Sequence, residues 1–299
     1  MTIVPGSGWE ELLKRLRTLK GTALFLGRSD SGKTTLVRYL LTELAAGGVP
    51  VALVDADVGQ SSLGLPGSVS RRTFTAEPAP GPLHWEHLCF LGCVTPVPIL
   101  SLLAAETGRM VLSCGQEAPL TLVDTTGLVD GTLGKALKLA KIRAVAPELV
   151  VAVAAGPELE PILSAIPAAE IVRLHPAQPA RRRSPGERTG YRHARLAAHL
   201  HGAREMLVAT RRLVFLHRGV PAHPSFASPA AGTVVGLNHL GETRALGVVT
   251  EAGAGSLTVL TALPSLRGID RVVLGDFSYC AEPAADPCGS RGRDEYHSP

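Results

Sequence analysis

Aromatic residues make up only 4% of the 299-residue chain, and asparagine occurs once, at Asn238. Asn238 is followed by His239, Leu240 and Gly241, so the N-K-x-D motif that usually reads guanine is missing. So few aromatics argue against a ligand held mainly by stacking on rings. The cysteines Cys89, Cys93, Cys114, Cys280 and Cys288 are odd in number and scattered, which argues against a disulfide framework. Cys89 and Cys93 have no second cysteine pair or paired histidine after them, so they read as buried thiols and not zinc ligands. The N-terminus lacks the basic segment and apolar core of a signal peptide. The most apolar run, Leu149 to Ala155, suits a buried strand and falls short of the ~18–20 residues that span a bilayer. A soluble, cytoplasmic protein with no membrane partner is therefore expected. Hydrophobic residues at 45% and charged residues at 19% exclude a long disordered chain.

The basic residues are unevenly chosen and unevenly placed. Of 30, six are lysines and the rest arginines, and eleven arginines fall between Arg173 and Arg218 against two acids, Glu187 and Glu205. Net charge is only +4, so the local excess is what predicts an anionic partner.

Apolar strands and helices alternate over most of the chain. Residues 7–19 read as an amphipathic helix opened by a Ser7–Glu10 capping box. Strands are expected at Thr22–Leu26, Pro50–Ala56, Leu88–Leu91, Leu120–Val123, Leu149–Ala154 and Glu170–Leu174, and helices at Lys33–Ala46, Ile99–Thr107 and Leu133–Val145. Residues 59–87 read as a loop-rich excursion, Pro176–Gly186 as a mobile segment and Glu187–Arg204 as an arginine-faced helix. This alternation implies an α/β protein with a mostly parallel sheet covered on both faces. After Thr210, short strands split by glycine turns suggest a small antiparallel β module. The expected organisation is an N-terminal helix (1–20), an α/β domain (21–209) whose string Gly27 to Thr34, GRSDSGKT, is that of a P-loop NTPase, with an arginine-rich lid at about 176–204, a β domain (210–280) and a disordered tail (281–299).

Gly27-Arg28-Ser29-Asp30-Ser31-Gly32-Lys33-Thr34 fits G-x-x-x-x-G-K-[ST] between a predicted strand and a predicted helix. Backbone N–H groups from Gly27, Ser29, Asp30, Ser31, Gly32 and the following Lys33, Thr34 and Thr35 would cradle phosphates at a helix N-terminus. Lys33 should reach the β- and γ-phosphates and the Thr34 hydroxyl should ligate Mg²⁺, which implies ATP and Mg²⁺ as cofactors. Two strands end in acids, Asp55-Ala56-Asp57 and Asp124-Thr125-Thr126-Gly127. In an open α/β sheet these carboxylates lie on the ligand side. One would hold Mg²⁺ and another could take a proton from an attacking hydroxyl; Asp55 alternatively serves the turn itself. The ABC-type LSGGQ string and the early second lysine of partitioning ATPases are absent. Arg188, Arg192 and Arg195 have helical spacing and share one face, suited either to bridging phosphates or to facing solvent.

On these motifs the sequence resembles the polynucleotide 5′-hydroxyl kinases related to the eukaryotic pre-mRNA cleavage-factor kinase and the nucleolar ribosomal-RNA-processing kinase. The resemblance runs from about Gly21 to Tyr279 and rests on GRSDSGKTT (27–35), VDADVGQSS (54–62), FLGCVTP (90–96), DTTGLVDG (124–131) and ERTGYRHARLAAHLHG (187–202). It implies ATP-dependent transfer to the 5′-hydroxyl of RNA, with single-stranded DNA as a further acceptor. It implies Lys33, Arg188 and Arg192 as catalytic residues with Asp57 as general base, and Thr34, Asp57 and Asp124 around the metal. Gln60, Thr95, Leu128 and Arg195 would contact the acceptor. Leu128 departs from the cleavage-factor members, which carry a base-packing tryptophan there. Two rivals stay open: a nucleic-acid-binding ATPase or assembly factor with little transferase activity, and a small-metabolite kinase, which would not need so dense an arginine stretch.

Overall fold

The computed structural model describes residues 3–76, 83–115, 117–166, 169–177, 183–222, 229–253 and 255–280. Helix α1 (Trp9–Leu16) leads into β1 (Gly21–Leu26), α2 (Lys33–Ala46) and β2 (Val51–Ala56). Next come β3 (Ser68–Phe74), β4 (His87–Phe90), α3 (Leu100–Cys114), β5 (Leu120–Thr125) and α4 (Gly131–Val145). Strand β6 (Leu149–Val153), the short α5 (Glu160–Leu163), β7 (Glu170–Leu174) and α6 (Pro185–His199) complete the first layer system. The sheet order is β4-β3-β2-β5-β1-β6-β7. Strands β2, β5, β1, β6 and β7 run parallel, while β3 and β4 are antiparallel additions.

The central strands are apolar throughout because both faces are covered. Ala23 and Phe25 of β1 join α1 and α2 in one core, and Leu24 and Leu26 join α3, α4 and α5 in another. Strand β3 lies within the stretch that the sequence pattern assigns to loops, because Ser, Arg and Thr fill five of its seven positions and leave little apolar periodicity. Helix α1 begins at a left-handed Gly8 with no side-chain cap, so the expected Ser7–Glu10 box does not form. Ser184 and Glu187 do form a capping box, at the start of α6.

The second sheet contains β8 (Arg204–Ala209), β9 (Val214–His217), β10 (Val220–Pro221), β11 (Thr233–His239), β12 (Glu242–Gly253), β13 (Ser256–Thr261) and β14 (Arg271–Ser278). Its order is β10-β9-β14-β11-β12-β13-β8, antiparallel except for β9 with β14. It starts at Arg204, earlier than the pattern change after Thr210 suggests, because β8 closes the edge beside β13. Leu196 of α6 and Leu200, which caps its C-terminus, pack with Leu88 and Phe90 of β4 and with Val234, Leu246 and Val273 of the second sheet. The Asp276 N–H donates to the Gly92 carbonyl at 2.7 Å, tying the two sheets together. The arginine-bearing helix is thus seated on the second sheet. The segments 178–182 and 281–299, read above as mobile and disordered, lie outside the described residues.

The expectation that no segment is long and apolar enough for a bilayer needs correction: Val97–Cys114 reaches 18 residues at mean hydropathy 1.3. Its apolar character has a local cause, since Leu103, Met110, Val111 and Cys114 belong to the core beneath the sheet. Cys89, Cys93 and Cys114 are buried free thiols and Cys280 is exposed.

Candidate active site

The loop between β1 and α2 turns through two left-handed residues, Asp30 (φ 60°) and Gly32 (φ 87°). Lys33 is 6% exposed, and its ammonium donates to the loop's own Arg28 carbonyl at 2.7 Å. Burial pushes its pKa down, while Asp124, Asp57 and Asp30 oppose that shift. Gly127 of the DTTG string presses against this loop: a Cβ there would lie 2.2 Å from the Ser29 nitrogen. That close approach is why only glycine fits.

Two acids lie under the loop and one beside it. The Thr34 hydroxyl donates to Asp124 Oδ2 at 2.6 Å, and buried Asp124 Oδ1 has no hydrogen-bond partner. Burial, reinforced by Asp55, raises the Asp124 pKa from 3.8 to about 7, against the pull of Lys33 and the Thr34 hydroxyl. Asp55 accepts from the backbone of Asp57, Ser62 and Leu63 and from the hydroxyls of Ser61 and Ser62. It therefore shapes the 57–63 loop and does not face the cleft. Asp57 Oδ1 accepts from the Gly59 and Gln60 N–H groups at 3.0 and 3.1 Å, leaving Oδ2 outside these bonds.

A cleft of about 930 Å³ opens between the loop and α6. Of the predicted site residues, Ser29 to Thr35, Asp57, Gln60 and Arg188 line it. Gly27 does not line it and lies against the Val153 carbonyl, and buried Asp124 is bonded to Thr34. Arg188 Nη2 donates to Asp30 Oδ2 at 2.6 Å, while its carbonyl accepts from Gln60 Nε2 at 3.2 Å. These two bonds hold α6 against the phosphate loop and residue Gln60.

The other predicted contacts are placed differently. Arg192 is not among the cleft-lining residues, and its Nη2 donates to Thr189 Oγ1 at 2.7 Å. Arg195 turns away to donate to the Leu63 and Gly64 carbonyls. The three arginines of α6 do not share one role: the spacing is right, but residues 61–64 occupy the space under the last of them. Leu128 packs against the core beside α4. Thr95 is exposed, on a turn whose Val94 carbonyl lies against Gly59.

Several cleft residues were not singled out from the sequence for this role, among them Arg38, Ser62 and Arg183. Arg183 stacks its guanidinium 5.6 Å from the ring centre of Tyr191, whose hydroxyl donates to the Ser61 carbonyl at 2.8 Å. The arginine-dense stretch pointed toward Arg183, whereas nothing local marks Arg38. Among the described residues, no group of three or more His, Cys, Asp or Glu side chains converges as a metal cage. The oxygen set of Thr34 and Asp124, with one buried oxygen unpaired, fits a hard ion whose shell a nucleotide's phosphates complete.

Comparison with known proteins identifies the family and the fold. Residues 27–202 match the family described as the mRNA cleavage and polyadenylation factor CLP1 P-loop. The polyribonucleotide 5′-hydroxyl-kinase of Pyrococcus furiosus is 36% identical over 186 residues, 60% of this chain and 51% of that protein. That of Pyrococcus horikoshii is 31% identical over 157 residues, 50% of this chain and 42% of its own. The chain thus spans about half the length of these curated relatives. Clp1p in its complex with Pcf11p superposes with a TM-score of 0.71 at 14% identity, covering 90% of this chain and 77% of that one, a likeness of fold. By the extent of the sequence match, the chain belongs to the CLP1 P-loop family.

Proposed function

We propose that the protein transfers the γ-phosphate of ATP to the 5′-hydroxyl of RNA, with single-stranded DNA as a second acceptor to be tested. One observation carries the reading: Asp57 lines the same cleft as the phosphate loop and an arginine of the lid helix. An ATPase needs the loop, but an acid held across a roomy cleft suits a bulky acceptor hydroxyl. The names of the archaeal relatives point the same way.

In this mechanism the loop amides and Lys33 hold the phosphates, and Lys33 exchanges the Arg28 carbonyl for a phosphate oxygen. The acceptor hydroxyl gives its proton to Asp57 Oδ2 as its oxygen bonds to the γ-phosphorus and the bond to ADP breaks. The Gly59 and Gln60 amides keep the other Asp57 oxygen fixed. Arg188, released from Asp30, offsets charge on the transferring group, and Arg192 is the next cation along the helix. Thr34 and Asp124 would hold Mg²⁺, with Asp57 as a further oxygen donor. When bound, the ion would supply neutralisation of the phosphate charge. Seating α6 on the second sheet keeps the lid over the cleft and limits water. A cytoplasmic location belongs to the same proposal, supported by the free thiols.

The test is label transfer from γ-labelled ATP with Mg²⁺ to matched 5′-hydroxyl RNA and DNA oligonucleotides, with Lys33→Ala as control. Label on RNA that vanishes in Lys33→Ala supports the kinase. ATP turnover stimulated by nucleic acid, with no labelled polymer, favours the ATPase.

A further inference from the structure

Lys138 and Lys141 on α4 take no part in the mechanism above, yet both are 0% exposed. Lysine is almost never fully buried unless paired. Here the partners are backbone and hydroxyl oxygens at strand ends. Lys138 Nζ donates to Thr125 Oγ1 at 2.9 Å, to Thr126 Oγ1 at 3.4 Å and to the Thr126 carbonyl. Lys141 Nζ donates to the Ala56 carbonyl at 3.0 Å. Thr125 Oγ1 in turn donates to the Phe25 carbonyl at 2.7 Å.

The positions of these acceptors matter. Phe25 stands two residues before Gly27, where the phosphate loop begins. Ala56 immediately precedes Asp57, and Thr126 lies two residues after Asp124. One turn of α4, with lysines three apart on one face, therefore stitches together the C-terminal ends of β1, β2 and β5. Those three ends carry the loop, the proposed base and the proposed metal-linked acid. The charged groups interacting with the two ammonium groups are Asp55, Asp57, Asp124 and Lys33.

A role in folding alone would not call for lysine. Burying an ammonium carries a large desolvation penalty, and apolar replacements of similar volume at buried ionic sites are often neutral or stabilising. Leu137, Ile142 and Val145 show that the same helix face is otherwise apolar. We infer that Lys138 and Lys141 are positioning residues that fix the spacing of Asp57, Asp124 and the phosphate loop for phosphoryl transfer. The kinetic part of this inference rests on the reading under Proposed function, whereas the structural part does not.

The experiment uses the full chain with Lys141→Met, Lys138→Met and, as a control for plain destabilisation, Leu137→Ala. Thermal unfolding, kcat and KM for ATP in RNA labelling, and amide hydrogen exchange are measured for each. Lys141→Met should melt at or above the wild-type temperature and keep KM within about threefold. Its kcat should fall about 10- to 100-fold, the scale expected from small misplacement of reacting groups. Exchange at residues 57–63 should quicken about tenfold while the rest of the sheet is unchanged. Lys138→Met should act likewise at residues 124–127. Leu137→Ala should lower the melting temperature with kcat kept. A folded Lys141→Met with wild-type kcat and unchanged exchange overturns the inference. So does loss of folding in both lysine variants, which would make the lysines structural supports. If the wild-type protein labels no RNA, the functional reading fails on its own; the exchange arm then still decides the positioning role.

Discussion

Replacing Asp124 with asparagine should stabilise the ligand-free protein, and more so as pH rises. The carboxyl is buried, with one oxygen bonded to Thr34 and the other unpaired. Its pKa is raised from 3.8 to about 7, chiefly by burial and then by Asp55. The folded state thus holds a proton that the unfolded chain releases near pH 4, so wild-type stability falls as pH rises through the window from about 4 to about 7. Each pKa unit is worth about 1.4 kcal/mol, and about three units set a ceiling near 4 kcal/mol. Asparagine keeps the shape and an acceptor for the Thr34 hydroxyl but does not titrate. The gain of Asp124→Asn should therefore be below about 1 kcal/mol near pH 4 and approach the ceiling by about pH 8. Urea unfolding of both proteins in EDTA at about pH 4, 6 and 8 measures the difference directly. A constant difference across that range, or a destabilised variant at pH 8, would refute the reasoning. Either result would mean that the carboxylate is ionised and compensated in the free protein.

Asp57→Asn should lower kcat by about 10²- to 10⁴-fold with KM for ATP little changed, as for removal of a general base; a loss confined to KM would assign it to binding. Arg188→Ala and Arg195→Ala should separate. The first should reduce label transfer while leaving the melting temperature near wild type. The second should cost about 1–3 kcal/mol of stability by orphaning the Leu63 and Gly64 carbonyls, and equal effects in thermal melts would contradict the assigned contacts. Gly127→Ala should weaken nucleotide binding, because its new methyl meets the Ser29 backbone; equilibrium titration with an ATP analogue checks this, and wild-type affinity would show that the loop can yield.

The phosphate loop and the alternating strands were legible in the sequence because both are local. Gly-x-x-x-x-Gly-Lys-Thr sets the loop's own backbone turns, and an apolar run of strand length reports burial on two faces. The second sheet's start and strand β3 were harder to read. Strand β3 is defined by pairing with β2 and β4, and its own residues, Ser68-Val69-Ser70-Arg71-Arg72-Thr73-Phe74, carry little hydrophobic signal. Asp55 illustrates the same divide at the site. The spacing D-x-D marks two acids at a strand end, and only the folded loop assigns Asp55 to five backbone and hydroxyl donors and Asp57 to the cleft.

By itself the sequence determined the nucleotide-binding chemistry, the α/β class and the presence of an arginine-rich helix, since each is written within a few turns of chain. Tertiary structure decided which arginine serves the cleft. Arg188 finds Asp30 across 158 residues, while Arg195 is consumed by carbonyls of the loop beneath it. It also decided that two lysines of α4, indistinguishable from surface residues by spacing, are sealed behind the acids. Helical periodicity names a face, but what fills the space opposite that face comes from distant parts of the chain, and the partner found there sets each side chain's role.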